Sequence, residues 1–127
     1  MQAYSKLVGA LHPSPNQGER KKGRKPRLIL LHYTGMPDAY GALERMCDPE
    51  AKVSAHYMID EDGTVTRLVK DGKRAWHAGR SYWRGITDVN SASVGIELVN
   101  PGHDWGDRPF PEAQGESLIP LLAEAIK

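Results

Sequence analysis

Residues 28–35, Leu28-Ile29-Leu30-Leu31-His32-Tyr33-Thr34-Gly35, decide how the rest of the chain is read. Four consecutive aliphatic residues have the length and type of a strand buried on both faces. Such strands belong to sheets with other layers packed against them. The run then ends in a polar cluster, where open sheets place their chemistry. An imidazole gains nothing from packing at the end of an apolar strand, but neutral imidazole is a ready zinc ligand. His32 is thus either a metal ligand or a hydrogen-bonded structural histidine, and the strand alone does not separate the two.

Downstream, Tyr40, Leu43 and Met46 recur at spacings of three, with Asp38 placed as an N-cap, so residues 38–46 are expected to be helical. Asp48-Pro49 ends that helix. Residues 54–59 and 64–69 flank Glu61-Asp62-Gly63, a tight-turn signal, and make a hairpin. Residues 80–92 are polar and read as a surface loop. Ser93 to Val99 is a further buried strand, and Pro101 to Pro109 a Gly/Pro loop. Pro111 suits the first position of a last helix, whose apolar stripe is Leu118, Leu121, Leu122, Ala125 and Ile126. Pro120 inside that stripe predicts a kink or a late start. The helix meets Lys127 with no Gly or Asn cap, as expected of a cut through a longer helix. Strands and helices without strict alternation give an α+β or three-layer α/β domain, a central mixed sheet flanked by helices.

Upstream, residues 12–26 (HPSPNQGERKKGRKP) are rich in Pro, Gly and charge and read as a loop or leader. Residues 1–27 carry seven Lys or Arg against one acid, whereas residues 28–127 carry ten basic and fifteen acidic side chains. A mildly acidic body behind a basic leader disfavours nucleic acid as partner. The cluster Arg20, Lys21, Lys22, Arg24, Lys25 and Arg27 is read as a solvated, mobile arm, with contact to an anionic polymer or membrane as the alternative. Residues 1–26 are set apart on this basis, and 27–127 form one domain. The lone Cys47 excludes an intrachain disulfide and a Cys-rich metal cluster, and is expected to be small and buried or half-buried. With no run of about 18 apolar residues and no secretory signal at the start, the expected location is the cytosol.

Two anomalies carry chemistry. Glu97 interrupts Val94-Gly95-Ile96 and Leu98-Val99. Turned inward, burial raises a carboxyl pKa and makes a general base near neutrality. Strand alternation alone allows the opposite, with Val94, Ile96 and Leu98 facing the core and Glu97 facing solvent. The histidines His56 and His77 sit beside Tyr57 and Trp76, as packing or substrate-wall groups more readily than as ligands. Trp76 is either a flat surface for a sugar ring or a core side chain.

His32-Tyr33-Thr34-Gly35, Val53-Ser54-Ala55-His56-Tyr57, Ala75-Trp76-His77-Ala78-Gly79 and Asn90-x-x-Ser93-Val94-Gly95-Ile96-Glu97 occur in that order. This series resembles the zinc-dependent N-acetylmuramoyl-L-alanine amidases, relatives of the peptidoglycan recognition proteins. The likeness is closer to the anhydromuropeptide amidase branch of cell-wall recycling, and the stretch 100–114 (NPGHDWGDRPFPEAQ) resembles bacterial members of it. The resemblance covers residues 27–127 and implies the amidase/recognition-protein fold.

It also implies that His32 is the first zinc ligand and that Glu97, facing inward, activates the zinc-bound water. His77 would contact or support substrate, Trp76, Tyr33 and Asn90 would join it in substrate binding, and His56 would be structural. The ligand would be peptidoglycan or a muropeptide, cut between muramic acid and L-alanine, with a monomer as the default state. The family completes its zinc site with a second His, an Asp or Cys, and a nearby Lys, from segments beyond the helix that begins near Pro111. The expectation is therefore that the domain is cut at its C-terminus and that the 127 residues alone do not hydrolyse substrate. A site of His32, His56 and His103 is the unorthodox alternative, and a non-catalytic peptidoglycan-binding module the rival function.

Overall fold

The computed structural model describes residues 6–102, 106 and 108–125. Its strands are β1 (Ala10–Leu11), β2 (Gln17–Glu19), β3 (Leu28–Tyr33), β4 (Tyr57–Ile59), β5 (Val65–Arg67), β6 (Lys73–Ala75) and β7 (Ser93–Leu98). Its helices are α1 (Ala39–Met46), the short α2 (Val89–Ala92) and α3 (Glu112–Ala125). The five-stranded sheet runs β1-β5-β4-β7-β3, and β2 with β6 forms a two-stranded ribbon. β4 and β5 are the expected antiparallel hairpin, while β3, β7 and β4 run parallel. The sheet is mixed and layered by helices, in keeping with the expected class.

The pleat of β7 sorts the core into two layers. Val94, Ile96 and Leu98 join Tyr57, Ile59 and Leu121 on the face covered by α3. On the other face Met58 packs with Ala42 and Met46 of α1 and with Leu68, Val69 and Val99. The Asp38 side chain accepts the Gly41 N–H at 2.8 Å, the predicted N-cap of α1. Gln114 fixes α3 to the sheet by donating to the carbonyls of Ile59 and Val99 at 3.0 and 2.9 Å. The helix continues past Pro120, which sits on its exposed side, so the proline does not delay the start. Cys47 is half-buried, as its setting suggested.

Two expectations need correction. β3 pairs with β7 and with no other strand among the described residues. It is an edge strand, with Leu31 49% and Tyr33 53% exposed, rather than one buried on both faces. The second concerns the leader. β1 lies parallel to β5 and β2 antiparallel to β6, and Ser14, Asn16 and Arg20 are buried. The amide of Asn16 donates to the carbonyls of Asp48 and Val53 at 2.9 and 2.8 Å. Residues 10–20 therefore pair with the domain and bury Arg20, while Lys21, Lys22, Lys25 and Arg27 of the basic cluster stay exposed. The buried polar side chains bond backbone carbonyls of loops that lack a ladder of their own.

Among the described residues, no helix is long and apolar enough to cross a membrane.

Candidate active site

The parallel register sets His32 directly beside Glu97, and Met58 faces Glu97 from the other side. Residues so aligned share a sheet face. Ser93, Gly95 and Glu97 alternate with the core residues of β7 and lie on the α1 side. Alternation thus does remove Glu97 from the α3 core, but the face it reaches is also covered. There it lines a cleft with Thr34, Met36, Arg45, Met46, Trp76 and His77.

Glu97 Oε2 is buried and has no hydrogen-bond partner among the described residues. Burial pushes the carboxyl up to about 7. A carboxylate with an unused oxygen and a pKa near neutrality is suited to taking a proton from water.

The histidines form a connected set whose tautomers follow from their partners. His56 is fully buried: its Nδ1 accepts the Gly95 N–H at 3.0 Å, and Nε2 meets the Lys73 carbonyl at 2.8 Å. A carbonyl only accepts, so Nε2 carries the proton, and both ring nitrogens are used. His56 is structural, as expected, and the alternative site of His32, His56 and His103 loses its second member; His103 lies outside the described residues. Burial, with the nearby Arg20 charge and against the Lys73 bond, lowers His56 to about 4.

The His77 ring lies on β7 where Gly95 leaves room, since a Cβ there would stand 2.5 Å from Cγ of the imidazole. His77 Nδ1 is 3.1 Å from His32 Nε2, and His77 Nε2 is 3.1 Å from Ser93 Oγ. Burial first, and then the neighbouring His56 and His32, hold His77 down to about 3. Burial also lowers His32, which favours its neutral form.

Of the other residues singled out in the sequence, Trp76 lines the cleft, its backbone tied to Ser54 by bonds of 2.8 and 2.9 Å. Asn90 is buried, and its Oδ1 accepts from the N–H groups of His77 and Ala78 at 3.0 and 2.8 Å. That oxygen brackets the WHAG turn and is not offered to a ligand. Tyr33 alternates to the face opposite His32 and covers Gly102, where a Cβ would come within 2.6 Å of its ring. The Asn90 oxygen is thus occupied by backbone N–H groups, and Tyr33 is not brought together with His32 and Glu97 on the cleft face. The sequence reading missed Ser93, though the period of two from Glu97 through Gly95 points to it.

These buried groups predict how the metal-free protein responds to acid. His56 and His77 lie below their unfolded value of 6.5, so they contribute stability above that pH and lose it as pH falls. Glu97 lies above its unfolded value, so it contributes below pH 4.5 and loses that as pH rises through about 7. Two histidines outweigh one carboxyl. A net loss of about 3 kcal/mol is expected between pH 6.5 and 4.5. Urea unfolding across that range measures it, and a flat stability profile would contradict the assignment.

Among the described residues, no group of three His, Cys, Asp or Glu is placed to hold a metal ion.

Comparison with known proteins accounts for this arrangement. The chain is 35% identical to AmiD, an N-acetylmuramoyl-L-alanine amidase of Escherichia coli K12, over 79% of its own length and 40% of that protein's. It is 35% identical to the 1,6-anhydro-N-acetylmuramyl-L-alanine amidase AmpD of Enterobacter cloacae, over 94% of this chain and 72% of the relative. A crystal structure of an AmpD selenomethionine derivative superposes with a TM-score of 0.79 at 30% identity, over 92% of this chain and 73% of that one. The chain thus spans less than half the length of AmiD and nearly three quarters of AmpD. The N-acetylmuramoyl-L-alanine amidase family pattern matches residues 22–127, and it is to this family that the chain belongs.

Proposed function

We propose that the protein hydrolyses the amide joining 1,6-anhydro-N-acetylmuramic acid to L-alanine in a soluble muropeptide. The observation that carries this reading is Glu97, a carboxylate with one buried, unpartnered oxygen, raised to about 7, in a cleft beside His32. The names of the AmpD relatives specify the anhydro sugar, which supports that substrate over intact murein. A soluble recycling fragment also accords with a cytosolic enzyme.

The donor set fits zinc in part. Burial favours the neutral form of His32, and its Nδ1 has no hydrogen-bond partner among the described residues. It supplies one of the three protein ligands a catalytic zinc takes. When bound, zinc polarises a carbonyl and lowers the pKa of water. The chain's own residues do the rest. Glu97 takes the proton of the attacking water and, as Glu97-H, hands it to the leaving amine. Trp76 offers an indole wall to the sugar or stem in the cleft that Glu97 also lines. A pure peptidoglycan-binding module gains nothing from an orphaned buried carboxylate, whose desolvation costs stability.

The test is incubation of the full-length protein and zinc with an anhydromuropeptide, and separately with murein, followed by chromatography with mass detection. Release of the free stem peptide is expected. Tight binding with the amide intact would establish the binding module instead.

A further inference from the structure

We propose that His77 is a positioning residue. It is the middle of a directed hydrogen-bond chain that sets the tautomer of His32 and leaves Nδ1 of His32 as the nitrogen with a free lone pair. The inference rests on the reading of His32 as a zinc ligand.

The direction of the chain follows from its far end. The Ser93 hydroxyl has one proton and donates it to the Val89 carbonyl at 2.7 Å. Ser93 Oγ can then only accept from His77, so His77 Nε2 carries the proton across the 3.1 Å contact. A neutral imidazole has one N–H, which makes His77 Nδ1 an acceptor. Its partner at 3.1 Å is His32 Nε2, which must donate. Each step leaves one choice, and the result is the Nε2–H tautomer of His32.

The surroundings hold this chain in place. Val89 and Ser93 are the start of α2 and the first residue of β7, both buried. Asn90, the residue after Val89, accepts from the backbone of His77 and Ala78, so the anchor and the ring are clamped by one short helix. Gly95 gives the ring its seat. A ligand histidine whose second nitrogen is fixed in this way keeps its tautomer and ring orientation, and losing such a partner weakens metal binding by about 10–100-fold.

Long-range ¹⁵N–¹H correlation of the imidazoles in the metal-free protein reads the tautomers directly. Both His32 and His77 should be protonated at Nε2 alone. A His77 protonated at Nδ1 would reverse the chain and overturn the proposal. Ser93→Ala removes the anchor while leaving the ring in place, and should let His77 populate both tautomers. In the full-length protein, zinc affinity by chelator competition should fall about 10–100-fold in His77→Ala. His77→Asn, which keeps an acceptor near the Nδ1 position, should recover part of the loss. Equal affinity of His77→Ala and the parent would overturn the positioning role. If the parent shows the stated tautomers but takes up no zinc, the metal reading of His32 fails while the chain itself stands.

Discussion

Glu97→Gln is expected to lower turnover of an anhydromuropeptide by about 10³-fold while making the fold more stable at pH 8. The substitution keeps the shape of the side chain and removes its proton affinity. A general base contributes roughly 10²–10⁴-fold, and nothing else in the cleft replaces it: His77 has both nitrogens engaged and is held near 3. The gain in stability follows from the same burial. With a folded value near 7 against 4.5, the native state carries a penalty that is complete only when Glu97 is ionised, about 3 kcal/mol above pH 7. An amide has no such charge to desolvate. Activity and stability should therefore move in opposite directions, as at a site that keeps an unfavourable group for its chemistry. The checks are kcat by chromatographic release of stem peptide and Tm by calorimetry at pH 5 and 8. The Tm difference should be near zero at pH 5 and clear at pH 8. Turnover within tenfold of the parent would remove Glu97 from the mechanism.

How much of this was legible in the sequence depends on which physical signal each residue leaves. His32 and Glu97 are visible because each is a polar group in an apolar strand. The α1 cap and the 54–69 hairpin are visible because turn chemistry is local. The strand β3 was placed correctly along the chain but wrongly in the sheet, because four aliphatic residues describe a strand and not its neighbours. Edge or centre is decided by pairing, which no local pattern encodes. The placements of Asn90 and Tyr33 were not legible for a related reason: proximity to a motif in sequence does not fix the face of the sheet or the partner of an amide. The tautomer chain through His77 and Ser93 depends on residues 16 apart meeting across a turn, and only the Ser93-Gly95-Glu97 alternation hinted at it.

The leader is where composition misled most, and there the second large effect is expected. Arg20→Met should destabilise the protein by about 4 kcal/mol, lowering Tm by roughly 15 °C. A run of six basic residues within eight positions reads as solvated, yet Arg20 is 6% exposed. Its Nη1 donates to the carbonyls of Asn90, Ser91 and Ser93 at 3.2, 2.9 and 2.9 Å, and Nε and Nη2 donate to the Asp71 carbonyl at 3.2 and 2.7 Å. Methionine fills much of the volume and satisfies none of these acceptors, so the loss comes from buried carbonyls left without donors. A lysine is a poor substitute, because a point charge cannot reach carbonyls on both sides as the planar guanidinium does. Because Asn90 and Ser93 also hold His77, the variant that survives should show weakened zinc affinity as well as a lower Tm, although Arg20 touches neither His32 nor Glu97. Chemical denaturation of Arg20→Met and Arg20→Lys measures the first effect. A loss below about 1 kcal/mol in both would mean that the leader can leave the domain at little cost, as its composition first suggested.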